Sequence, residues 1–113
     1  MVKVKRVYER AVRTDGYRVL VERLWPRGVT KRKARLNDWL KEIAPSPQLR
    51  LWYGHDVKRW AEFRRRYRAE LKQAKPLVDR LRALSKKRTV TLVFAARDEL
   101  HNSAVVLRDY IGR

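Results

Sequence analysis

The chain contains no cysteine. That one absence removes disulfides, a thiolate nucleophile and thiolate metal sites together. Only two histidines are present, His55 and His101, far apart and without the HExxH spacing, so no zinc site is expected. There is no GxGxxG and no GxxxxGK[ST], so no mononucleotide or dinucleotide phosphate loop is indicated and no cofactor is expected. No apolar run approaches the ~20 residues of a membrane span. Met1 to Arg6 alternates valine with lysine and arginine and lacks the apolar core of a secretory signal. It is expected to form the first strand of a cytoplasmic protein. Ser46, Ser85 and Ser103 lack the strand–turn–helix setting of a hydrolase nucleophile. There is no internal repeat and no low-complexity linker.

Acidic residues are also scarce, 12 against 30 lysines and arginines. The net charge is +18 and the pI about 11.2. Such a surface repels itself at low salt and attracts polyanions. Two readings stay open: the heavily charged surface of a thermophile, or a nucleic-acid footprint.

What remains suits one folded domain over residues 1–113, with 44% hydrophobic and 37% charged residues. Val2, Val4 and Val7 alternate with Lys3, Lys5 and Arg6, the pattern of a half-buried strand. A second strand is expected from Tyr17 to Trp25. Val19 and Val21 face one side and Leu20 and Leu24 the other, as when helices flank a sheet. The link between them is short for a helical crossover, so antiparallel neighbours are one option. Thr30 is a fitting N-cap for a helix through Ile43, with Leu36, Trp39, Leu40 and Ile43 apolar. Ser46-Pro47 opens a short helix that Gly54 closes. Asp56 caps the longest helix, Val57 to Ala74, whose buried stripe is Trp60, Phe63, Tyr67 and Leu71. Another helix starts at Pro76. The last strand begins at Val90 and ends in Ala95-Ala96-Arg97-Asp98. If Asp98 is the N-cap of the last helix, His101 sits in its first turn, with Leu100 on the apolar face. The fold class is therefore α/β, a small, mainly parallel sheet with helices packed against it.

Ligands in open α/β sheets bind at the carboxyl ends of strands. One strand exit offers Arg23, Trp25, Arg27 and Gly28. The other offers Arg97, Asp98, His101 and Asn102. If the two strands are parallel neighbours, these sets converge beside a helix N-terminus and can hold phosphate or carboxylate. His55 and His101 are the candidates for proton transfer. The same arginines could instead pair with Glu22, Asp15 and Asp98 as structural ties. A second candidate surface is the basic face of the long helix: Lys58, Arg64, Arg65, Arg66, Arg68 and Lys72. It carries no helix-turn-helix, zinc-finger or RRM signature, so base-specific reading has no support.

Asp15-Gly16-Tyr17-Arg18-Val19-Leu20-Val21-Glu22-Arg23-Leu24-Trp25-Pro26-Arg27-Gly28 resembles the hallmark of the YeaO-like proteins, in the domain-of-unknown-function family numbered 488. The resemblance continues through Trp39 to Ser46, Leu51-Trp52-Tyr53-Gly54-His55-Asp56, Arg59-Trp60, Phe63 and Tyr67-Arg68. It closes with Ala95-Ala96-Arg97-Asp98 and His101-Asn102. It implies a compact α/β domain and leaves the biochemical function unassigned. Glu22 stands where that motif usually has aspartate. Ala95, Ala96 and Leu100 bring none of the thiols found there in the wider family, and Asn102 replaces an arginine, so thiol chemistry does not carry over. Two functions are expected from the residues. One is binding of a phosphate- or carboxylate-bearing small ligand, such as a nucleotide, at the strand exits. The other is nonspecific nucleic-acid binding through the basic surface. Nothing in the sequence fixes an oligomeric state or a reaction.

Overall fold

The strands are β1 (Val2–Arg6), β2 (Tyr17–Leu20), β3 (Asp38–Trp39) and β4 (Val90–Phe94) in the computed structural model, which describes residues 1–112. All pair in parallel, in the order β1-β4-β2-β3. The first two strands are therefore not antiparallel neighbours; β4 lies between them. The link from Val7 to Gly16 brings the chain back without a long helix. It uses a 3-10 turn over Arg13–Asp15 and then Gly16 at φ 66°. Gly16 meets the backbone of Thr89 so closely that a Cβ would lie 2.3 Å from its carbonyl oxygen. Only glycine combines that backbone angle with that approach.

β4 is buried at every position. Its alternate residues serve two cores. Val90, Leu92 and Phe94 face the same side as Val19 and Val21, against α2 (Pro47–Tyr53), α3 (Trp60–Gln73), α4 (Lys75–Lys87) and α5 (Ser103–Ile111). Val93, Leu20 and Val7 face the other side. There they meet Ala34 of the four-residue α1 (Lys31–Ala34) and the half-buried Trp25 and Trp39. Burial on both faces explains why β2 and β4 are largely apolar; Arg18 and Thr91 are their buried polar residues.

α1 is far shorter than the helix expected from Thr30 to Ile43. Thr30 does cap it, accepting the Lys33 N–H. Arg35 then turns left-handed at φ 45° and ends it. The chain beyond is drawn onto the free edge of β2. Asn37 donates its N–H to the Arg18 carbonyl and accepts the Arg18 N–H through Oδ1. Leu40 N–H bonds to the Leu20 carbonyl. Strand pairing has overridden the helical spacing. β2 also stops sooner than expected, and Leu24 is 63% exposed. The short helix after Ser46-Pro47 and the long one after Asp56 form as read, the latter through a 3-10 turn at Val57–Arg59.

Asp15 and Arg18 form a buried ion pair of 2.7 Å. Lys5 reaches the same carboxylate at 3.1 Å, and the Val12 N–H donates to it at 3.0 Å. Burial raises the Asp15 carboxyl, but these donors outweigh it and hold the group below the usual carboxylate range. Arg18 also donates Nε and Nη2 to the Ala34 carbonyl, and Thr91 donates its hydroxyl to the Asp15 carbonyl.

Two substitutions test this frame by urea denaturation. Gly16→Ala should lower the unfolding free energy by about 2 kcal/mol or more, since both strain and overlap act. Asp15→Asn strands a buried guanidinium and should cost about 3–5 kcal/mol. An unchanged midpoint in either would contradict the corresponding contact.

Candidate functional site

β2 and β4 are parallel neighbours, so their carboxyl ends open side by side. A cavity of about 230 Å³ lies there. Glu22 and Arg23 enter it from β2, and Ala95 and Ala96 from β4. Arg50 and Tyr53 enter from α2, His55 from the turn after it, and Phe63 from α3. Asn102 and Ser103 enter from the start of α5, and Ala44 and Pro45 close the side.

Each wall has a local cause. Arg23 is half-buried because its Nε donates to the Pro45 carbonyl at 2.9 Å and its Nη2 to the Ala44 carbonyl at 3.3 Å. It braces the loop and keeps Nη1 unused among the described residues. Arg50 is exposed and makes no ion pair among the described residues. Tyr53 stacks on Phe63 with centroids 4.2 Å apart and donates its hydroxyl to the His101 carbonyl. Desolvation, then the Asp98 and Asp56 charges, push its phenol above the ordinary range. Gly54 and His55 are both left-handed, at φ 52° and 58°. For histidine that conformation costs about 1–3 kcal/mol.

Glu22 is the one carboxylate on the cavity wall. Its Oε1 accepts the Ala95 N–H at 3.1 Å, tying the end of β2 to the end of β4. Burial pushes its carboxyl above the ordinary glutamate range; the Ala95 N–H and the His55 and Arg50 charges oppose the shift.

Asn102, not Asp98, caps the last helix, accepting the Val105 N–H. Asn102 also donates to the Asp98 carbonyl. Asp98 instead closes the preceding turn, accepting the Leu100 and His101 N–H groups. Those donors, the Leu100 N–H first, hold its carboxyl below the usual range. His101 therefore precedes the helix, and Leu100, read as apolar face, is 73% exposed. The cap leaves the N–H groups of Ser103 and Ala104 without intrahelical acceptors, and Ser103 lines the cavity.

Of the residues expected at the strand exits, Arg23 and Asn102 line the cavity, and so does His55, expected as a proton-transfer candidate at a helix start. Arg97 is exposed and lies outside it with Asp98 and His101. The His101 imidazole sits 3.0 Å from Asp98 and edge-on to Trp60. Trp25 is on the opposite face of the sheet, donating to the Val29 carbonyl and packing edge-on against Trp39. Arg27 is exposed, and its carbonyl accepts the Tyr8 hydroxyl. The second guanidinium of the cavity is Arg50, which nothing in the local pattern marks. Along the long helix, Arg65 and Arg66 both bind Glu62, at 2.7 and 2.8 Å. Lys58, Arg64, Arg68 and Lys72 make no ion pair among the described residues.

The family model described as "Inactive DUF488-N3 subclade" matches residues 1–113. The uncharacterised protein YeaO of Escherichia coli K12 is 44% identical over 110 residues, covering 97% of this chain and 96% of YeaO. The chain belongs to the YeaO-like DUF488 family. An uncharacterised protein of Mycobacterium tuberculosis H37Rv is 44% identical over 111 residues, covering 98% of this chain and 93% of that one. No solved structure matches this chain. Among the described residues, no helix of this YeaO-like chain is long and apolar enough to cross a membrane.

The raised carboxyl of Glu22 gives a pH test. The folded state holds this proton more tightly than the unfolded state. Stability from this group is thus greatest at acid pH and falls as pH rises from the ordinary glutamate range to the raised value. Glu22→Gln keeps the acceptor for Ala95 and removes the titration. Its melting temperature, relative to the parent protein, should rise from acid to neutral pH; a constant offset would refute the assignment.

Proposed function

We propose that the cavity at the ends of β2 and β4 binds a small molecule bearing a phosphate or carboxylate. The observation that carries this reading is that Arg23 and Arg50, neither in an ion pair among the described residues, line one cavity together with His55. Guanidinium groups recognise planar or tetrahedral oxyanions through parallel N–H donors. The first N–H groups of α5 add donors and a favourable dipole at the same wall. Glu22, whose Oε2 has no hydrogen-bond partner among the described residues, supplies a polar group for a ligand hydroxyl or amine in the same cavity. A nucleotide is one ligand of this class.

The reading is of binding rather than turnover. The cavity has no cysteine, and its serine, Ser103, has no side-chain hydrogen bond to a base among the described residues. His55, the imidazole on its wall, has no carboxylate orienting it among the described residues. The family description as an inactive subclade agrees.

Arg50 is the informative position, because Arg23 also braces backbone. Thermal shift and calorimetry with inorganic phosphate, small carboxylates and mononucleotides should find a ligand that stabilises the protein. Arg50→Ala should weaken that ligand about tenfold, the loss of one charge-assisted contact, with an unchanged melting temperature in its absence. Equal binding by Arg50→Ala, or a panel in which no anion binds, would reject the proposal.

A further inference from the structure

The thinner face of the sheet holds a second recess, of about 580 Å³, which the proposed ligand site does not use. One wall is the segment after β1, with Tyr8, Glu9 and Arg10; the other is the turn and helix carrying Arg32, Lys33 and Arg35. All four cations are exposed, and none makes an ion pair among the described residues. The one acid on the wall, Glu9, is turned back to accept the Arg6 backbone N–H.

The α1 segment breaks local rules to present these charges. Arg27 to Arg35 holds five cations and no acid. The first turn of α1 is Lys31, Arg32 and Lys33, cations at the end of a helix that favours anions. Arg35 sits left-handed, a conformation that disfavours arginine.

An aromatic ring lies within the recess. Tyr8 is 48% exposed. Its hydroxyl is anchored to the Arg27 carbonyl at 3.0 Å, and the Arg6 guanidinium sits 5.0 Å from its ring centre. Anchored at its tip and backed by a cation, the ring is a rigid platform. Unpaired cations around a stacking ring in a concave groove match the chemistry of single-stranded nucleic acid. A duplex keeps its bases inside the stack and offers nothing to Tyr8.

The long helix fits less well. Glu62 neutralises Arg65 and Arg66, while Arg59 pairs with Asp56. Arg59 and Arg66 are also drawn over Trp52. Arg64, Arg68 and Lys72, spaced by four, form a row along α3 with no aromatic ring among them.

We infer that the recess between Tyr8–Arg10 and Arg32–Arg35 binds single-stranded nucleic acid, with phosphates on Arg10, Arg32, Lys33 and Arg35 and a base on Tyr8. The surface is separate from the cavity at the strand ends, so either can fail alone.

Fluorescence anisotropy with a labelled oligo-dT and its RNA counterpart, from low to physiological salt, tests it. Two triple variants carry the same charge change: Arg10→Ala with Arg32→Ala and Lys33→Ala, and Arg64→Ala with Arg68→Ala and Lys72→Ala. The recess triple should lose at least about tenfold in affinity, and its salt slope should fall by roughly 2, from three lost phosphate contacts. The helix triple should stay within about twofold of the parent. Tyr8→Leu should lose roughly tenfold with an unchanged slope, as for a lost stacking contact. Melting temperatures of all three confirm that they fold. The inference is overturned by equal losses in the two triples, by a duplex bound as tightly as the single strand, by a Tyr8→Leu variant that binds like the parent, or by no binding at physiological salt.

Discussion

The parallel sheet depends on the buried carboxylate of Asp15. One residue joins the elements that must register: Lys5 from β1, Arg18 from β2, Thr91 from β4 and, through Arg18, the end of α1. Neither charge of the Asp15–Arg18 pair can be buried alone, and a satisfied network of this kind specifies geometry more than it adds stability. Every buried side-chain polar atom among the described residues finds a partner. With the strands so aligned, β2 and β4 end at the same level, and Glu22 can reach the Ala95 N–H across the gap. The cavity is a consequence of that alignment.

The two faces of the sheet are built differently. One carries four helices and a run of aromatic contacts from Tyr53 through Phe63 to Tyr67, which gives the cavity a rigid floor. The other carries a single short helix and two tryptophans held by backbone carbonyls, Trp25 to Val29 and Trp39 to Glu22. This thin layer leaves room for the cationic recess. The molecule thus places its apolar-walled cavity and its cationic recess on opposite faces of the sheet.

Where local chemistry decides an element, the sequence was legible. Ser46-Pro47 with Gly54, and Asp56 ahead of an apolar stripe, mark helices that form as read. Apolar residues on both sides of β2 foretell a covered sheet. Two errors share a cause. The spacing of Leu36, Trp39, Leu40 and Ile43 fits a helix, but the open edge of β2 offers backbone partners that local spacing does not reveal. Asp98 and Asn102 are both capping residues, four apart, and only the buried environment of Asn102 selects between them. Arg50 reads as the solvent face of a short helix; its place at the cavity comes from how α2 lies across the strand ends.

β4 is an inner strand and also the last of the four in the chain. On a growing polypeptide, β1 and β2 therefore wait without their shared neighbour until Val90–Phe94 has been made, and pairings such as Val2 with Val90 close across most of the chain. Long-range closure of this sort slows folding and lengthens exposure of unpaired edges. The cations interleaved along those edges, Lys3, Lys5, Arg6 and Arg18, then act as gatekeepers, keeping nascent chains apart until the centre of the sheet arrives.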